Sequence, residues 1–210
     1  MFNSNQPEKR IQTMKHSLRL SLLLLAVSLF PFSIQAETDS AAAADLATQA
    51  KAALESGATK DAISLLEKAI ELDPENASLH TRLAGAFVKR IDEVNFMMKG
   101  MIAGQMLKAY QTSVEVDPDH LEGYIGLCRY YLNAPPIAGG SADKAEIYAK
   151  EVHARLPWLG EVELALVAEK RGDAIKAAEH FRTALTEQPH HGEALAGLKR
   201  VTASTEPTKG

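Results

Sequence analysis

The chain has 210 residues, with 23 Lys and Arg against 27 Asp and Glu, a formal net charge of −4 at pH 7. That balance lacks the basic stripe a nucleic-acid binder needs to meet phosphates, so no nucleic-acid partner is expected. Cys128 is the only cysteine, which excludes an intramolecular disulfide and leaves packing to hold the fold.

In chain order, the first element is an export signal over residues 1–36. Lys9, Arg10, Lys15 and Arg19 precede the apolar run Leu20–Phe32, and Ser33-Ile34-Gln35-Ala36 then offers small residues for cleavage after Ala36. Met14 gives an alternative start. The run is shorter than the ~20 apolar residues of a spanning helix and contains Pro31. A periplasmic or secreted chain follows from this reading, the alternative being a chain anchored to the membrane by an uncleaved N-terminus. Setting residues 1–36 aside removes four basic residues and one acid, leaving 19 Lys and Arg against 26 Asp and Glu, a net charge of about −7.

Residues 37–42 read as a short linker and 43–203 as one helical domain, with a flexible tail at 204–210. A first helix runs over about 43–56 and is broken by Gly57; a second ends at Leu72. The third begins near Ala77, the fourth reaches Val116, and a fifth covers about 121–132. Then come about 141–156, 159–171 and 174–187, and a last helix over about 192–202 belongs where a stack of helices must cover its final apolar face. No segment reads as a strand.

Four segments repeat one pattern: a usually small residue, a second seven positions on, and a proline five beyond that. They are Ala62–Ala69–Pro74, Met106–Ser113–Pro118, Ala145–Val152–Pro157 and Ala177–Ala184–Pro189. Each proline ends a helix-forming run, because it cannot continue the hydrogen-bond ladder and pushes its predecessor out of the helical region. Upstream lies the other half of the unit: Leu83-Ala84 with Phe87, Leu127-Cys128 with Tyr131, Leu164-Ala165 with Ala168, and a degraded Gln49-Ala50 with Ala53. Spacings of one, three and four share a helical face, so each unit is a helix hairpin.

With these residues the chain resembles the tetratricopeptide repeat family, whose period is about 34 residues. The resemblance is greatest over Ala43–Pro74 and Trp158–Pro189. It implies an all-α, right-handed α-solenoid of about four antiparallel hairpins with a C-terminal capping helix, and a protein or peptide partner bound on the concave face. Two units are longer than the rest. One carries an insertion around Ile91–Met101, the other around Asn133–Ser141, where Pro135-Pro136 ends a helix, Gly139-Gly140 turns the chain and Ser141 caps the next helix. That second phrase is similar to one found in exported bacterial repeat proteins.

By helical phase, the residues opposite the packing face are the candidate partner-binding set: Lys51, with Ala47, in the first helix; Thr81, Gly85 and Val88 in the third; Ile125, Arg129 and Leu132 in the fifth; Val162 and Leu166 in the seventh. This set is partly apolar with few charges, which suits an extended or helical segment held by side-chain burial. Lys51 and Arg129 are too sparse for a dense carboxylate clamp. Arg129 is expected to be a free groove cation, so that Arg129→Glu weakens an acidic partner without unfolding the domain.

Enzyme signatures are absent: there is no Gly-rich phosphate loop, no Gly-x-Ser-x-Gly and no His-Glu-x-x-His. No catalytic residue, cofactor or metal site is assigned. His180, His190 and His191 are read as structural or solvated, and Cys128 as a small core residue. Met97, Met98, Met101 and Met106 gather in and beside the first insertion. Packing on a neighbouring repeat is the plain reading; a pliable apolar lip and a thioether site for cuprous ion are the others. Beside the interaction module stand two alternatives, a Met-rich copper-handling protein and a self-associating scaffold.

Overall fold

The structure, a computed structural model, describes residues 36–203; all but the last residue of the stretch expected to be an export signal, and the tail from 204, lie outside the described residues. Helix α1 occupies 36–55, so residues 37–42, expected as a linker, are helical instead, and Ser40 on that helix hydrogen-bonds Asp73 at 3.4 Å. There follow α2 (Thr59–Leu72), α3 (Ala77–Arg90), α4 (Phe96–Val116), α5 (Leu121–Asn133), a 3-10 turn (Pro136–Ala138), α6 (Ala142–Arg155), α7 (Pro157–Lys170), α8 (Ala174–Glu187) and α9 (Gly192–Ala203). Among the described residues there is no strand.

These helices form because the sequence gives each a small-residue seam. Ala62, Ala69, Ala145, Ala149, Ala177 and Ala184 are completely buried, which lets neighbouring helices approach closely. Leu66, Leu127 and Phe181 fill the space beside them and are likewise buried, each stabilising the fold by ~1.5–3 kcal/mol. Three successive clusters result, one per stretch of the stack, as expected where each repeat touches only its neighbours.

Each of α2 to α8 packs on the next in sequence. The odd helices α3, α5, α7 and α9 also pack on one another in series, whereas the even ones share no comparable contact. The odd helices therefore crowd together on an inner wall and the even ones fan out behind them. This is an α-solenoid of four helix hairpins closed by α9.

Two junctions differ from expectation. Pro157 does not follow a helix at a distance but begins α7, while Leu156 ends α6 and starts α7 at once. Proline fits the first helical position because the amide it lacks would have had no intrahelical acceptor. The insertion around Ile91–Met101 does not lengthen the hairpin turn throughout. Only residues 91–95 turn; Asn95 then caps α4 by accepting from the Met98 amide at 3.2 Å, and α4 gains length at its N-terminus to reach 21 residues. The second insertion folds as its sequence reads: Gly139 takes φ 89°, open to glycine without strain, and Ser141 Oγ accepts from the Lys144 amide at 3.3 Å.

Candidate functional site

The inner wall carries two neighbouring hollows. The larger, ≈ 520 Å³, lies between α3, α4 and α5, with Val88, Ile91, Met106, Tyr110, Ile125 and Tyr130 among its walls. The smaller, ≈ 470 Å³, is bounded by Leu132, Leu166, Glu169, Lys170 and Glu193. Arg129 and Asn133 border both, so the guanidinium stands at the divide.

Local sequence explains the larger hollow. Gly126 on α5 sits against the Tyr110 ring, and a Cβ there would overlap it, so only glycine lets α4 bring its aromatic ring this close. Burial pushes the Tyr110 phenol up, keeping it a neutral donor. At the far end, Ala134 and Pro135 close the hollow. They are braced by the 3-10 turn: Tyr130 donates to the Ala138 carbonyl at 2.8 Å, and the Ser141 amide to the Tyr131 carbonyl at 2.9 Å.

Arg129 is not a free cation. Its Nε and one terminal nitrogen donate to Oε1 of Glu163 on α7 at 3.0 and 2.7 Å, and that terminal nitrogen also reaches Glu193 on α9 at 2.7 Å. Glu163 is wholly buried, and its Oε2 has no hydrogen-bond partner. Burial pushes the Glu163 carboxyl up, against the downward pull of Arg129. Burial also opposes charge on Arg129, but the Glu163 and Glu193 carboxylates outweigh it and hold the guanidinium above its ordinary range. The tie therefore joins three odd helices across the floor of the groove. A second tie binds the cap: Arg200 on α9 grips both carboxylate oxygens of Glu169 on α7.

The residues expected to bind a partner divide accordingly. Val88, Ile125 and Arg129 line the larger hollow, and Arg129, Leu132 and Leu166 the smaller. Gly85 is half-buried and faces open space. Thr81 Oγ1 lies 3.2 Å from His120 Nε2 and lines neither hollow. Lys51 is exposed and pairs loosely with Glu55 at 3.9 Å. Val162 and Ala47 are corrections: both are buried in the core, because each lies three positions from a packed alanine, Ala165 and Ala50, and shares its face. Leu132 is a correction as well: it is buried in the core and offers the smaller hollow only an edge.

The histidines separate into distinct tasks. His180 Nδ1 lies 2.7 Å from Glu161, whose other oxygen meets His153 at 3.1 Å, so Glu161 links α6, α7 and α8. His191 packs edge-on against Trp158 and accepts from the Ala194 amide at 3.3 Å, capping α9. Among the described residues no group of three or more His, Cys, Asp or Glu is placed to hold a metal. Cys128 is wholly buried; burial first, and the Glu163 carboxylate second, push its thiol far up, so it stays an unreactive core group. The methionines are a further correction. Met106 packs in the core, but Phe96, Met97, Met98 and Met101 are exposed at the start of α4 and do not pack as core residues.

A family model for the tetratricopeptide repeat matches residues 53–90. No curated protein matches the chain. Among solved structures, TTC0263, a thermophilic TPR protein of Thermus thermophilus, superposes with a TM-score of 0.67 at 18% identity, over 90% of this chain and 98% of its own. PilF of Pseudomonas aeruginosa gives 0.62 at 18% identity, over 80% and 70% respectively. YrrB, described as a TPR protein with an unusual peptide-binding site, gives 0.56 at 22% identity, over 87% and 88%. At these identities the likeness is one of fold.

Proposed function

We propose that this chain, a member of the tetratricopeptide repeat family, is an adaptor that holds a protein or peptide partner along the paired hollows of its inner wall. The observation that carries this reading is the larger hollow, where Val88, Ile91, Ile125 and Met106 present apolar surface beside the Tyr110 ring. Its volume of ≈ 520 Å³ falls within the ~300–1,000 Å³ typical of ligand sites. YrrB, with its peptide-binding site, is a fold relative that makes a peptide a reasonable occupant.

Magnitudes decide how much of the wall the partner must use. One large apolar side chain buried contributes ~1.5–3 kcal/mol. Association costs ~4–15 kcal/mol in lost freedom. A single anchor in the larger hollow is insufficient, so the partner must extend past Arg129 into the smaller one. There it meets Glu193 and Glu169, both already engaged by arginines, so apolar burial rather than charge carries the binding.

The partner is met outside the cytoplasm in this reading, because four cations precede the apolar run Leu20–Phe32. The module works by holding, with no chemistry of its own. A photo-reactive side chain in place of Ile125, compared with one at exposed Glu67 on α2, tests the site in an envelope extract. Capture of one discrete partner from Ile125 alone is the expected result. Equal capture, or none, from both positions removes the inner wall as the binding face.

A further inference from the structure

We propose that Met97, Met98 and Met101 form a site of reversible oxidation, which converts the outward face at the start of α4 from apolar to polar. The geometry sets these thioethers apart. Met97 is 89% exposed, Met101 55% and Met98 39%, whereas Met106, two turns further along the same helix, is 7% exposed. Met97 and Met101 are four positions apart and share one face, and Met98 and Met101 are three apart, so the sulfurs lie over a single turn. Phe96, 87% exposed, extends the patch.

The chemistry needs only a peroxide. A thioether lone pair attacks one peroxide oxygen, the O–O bond breaks, an S–O bond forms, and the departing hydroxide takes up the proton as water; sulfur loses two electrons and the peroxide gains them. A sulfoxide reductase reverses the step: its two thiols become a disulfide and the oxygen leaves as water. Susceptibility follows access, and the one thiol of the chain, on Cys128, is buried and kept protonated, so it does not compete. The helix itself is preserved, since its cap is the Asn95 side chain on the Met98 amide and involves no sulfur. What changes is the surface, from a soft apolar patch to a row of strong acceptors.

Graded hydrogen peroxide on the full chain, followed by peptide mapping, reads the site directly. Met97 should oxidise first, then Met101 and Met98, with Met106 severalfold slower; in urea all four should converge. Met1 and Met14 are read on their own peptides. Retention on a phenyl matrix should fall with oxidation at unchanged helix content, and a sulfoxide reductase with a dithiol should restore it. The M97L/M98L/M101L variant should be retained before and after peroxide alike. The proposal fails if Met106 in the folded chain matches Met97, if retention is unmoved or not restored, or if the leucine variant loses retention as the natural chain does.

Discussion

Arg129 on α5 and Glu163 on α7 meet through two hydrogen bonds to one carboxylate oxygen, at 3.0 and 2.7 Å, with Glu163 wholly buried and its other oxygen unpartnered. This pair settles what Arg129 does: it anchors the floor of the groove and is not held out to a ligand. The charge reversal that a free groove cation would tolerate is therefore a structural lesion.

Removing one partner of a buried pair costs about 3–5 kcal/mol; because the Arg129 side chain is 40% exposed and keeps some water, about 2–3 kcal/mol is expected for Arg129→Met. Arg129→Glu should cost more, since it sets a carboxylate against Glu163 and Glu193 together. Replacing both charges, as Arg129→Met with Glu163→Leu, should recover most of the loss by removing the stranded carboxylate. Urea denaturation of the two singles and the double gives the coupling. A single Arg129→Met as stable as the natural chain would show that the tie holds nothing.

Two glycines in helices should respond in opposite directions to alanine. At Gly85 a Cβ meets nothing within 4 Å, so Gly85→Ala should stabilise by about 1 kcal/mol through helix propensity. At Gly160 a Cβ would overlap the backbone of His153, where α6 and α7 cross. Overpacking of about 1–3 kcal/mol should exceed the propensity gain there, and Gly160→Ala should lower Tm. Thermal melts of the two variants suffice, and a stabilised Gly160→Ala would mean the helices separate more freely than their contact implies.

Glu146 on α6 gives an acid dependence. Its hydrogen bonds from Lys150, first, and from Arg171 hold its carboxyl at about 2, below the ordinary 4.5. The folded state thus binds the proton less readily than the unfolded one. The stabilisation is fully present above pH 4.5 and is lost as pH falls through about 2. The difference in Tm between the natural chain and Glu146→Gln should accordingly be greatest at neutral pH and shrink across that window. A difference that is flat from pH 7 to 2 would remove Glu146 as the source.

The hairpins were legible in the sequence because the constraint that makes them is local. A small residue every seven positions with a proline beyond, as at Ala177, Ala184 and Pro189, records how closely two helices must pass. The groove was only partly legible. Its phase depends on how each helix is rotated against its neighbours, which local spacing does not fix, and Val162, one turn before Ala165, faces the core. The tie at Glu163 joins positions 34 residues apart and leaves no short-range pattern. One signal was available: Glu163 stands alone in the apolar run from Val162 to Ala168, where a lone carboxylate on a buried helix needs a cation. Met106 and Tyr110 were missed as groove walls because they sit on an even helix, brought inward by the space that Gly126 leaves.

Leu156 is the entire connection between α6 and α7, whereas four residues separate α2 from α3, α4 from α5, and α8 from α9. A spring wound from this chain would be unevenly stiff. Opening or tightening of its coil must be taken up at 73–76, 117–120 and 188–191, while the third and fourth hairpins turn as one rigid block. A long partner would then be gripped by a fixed jaw on that side and an adjustable one on the other.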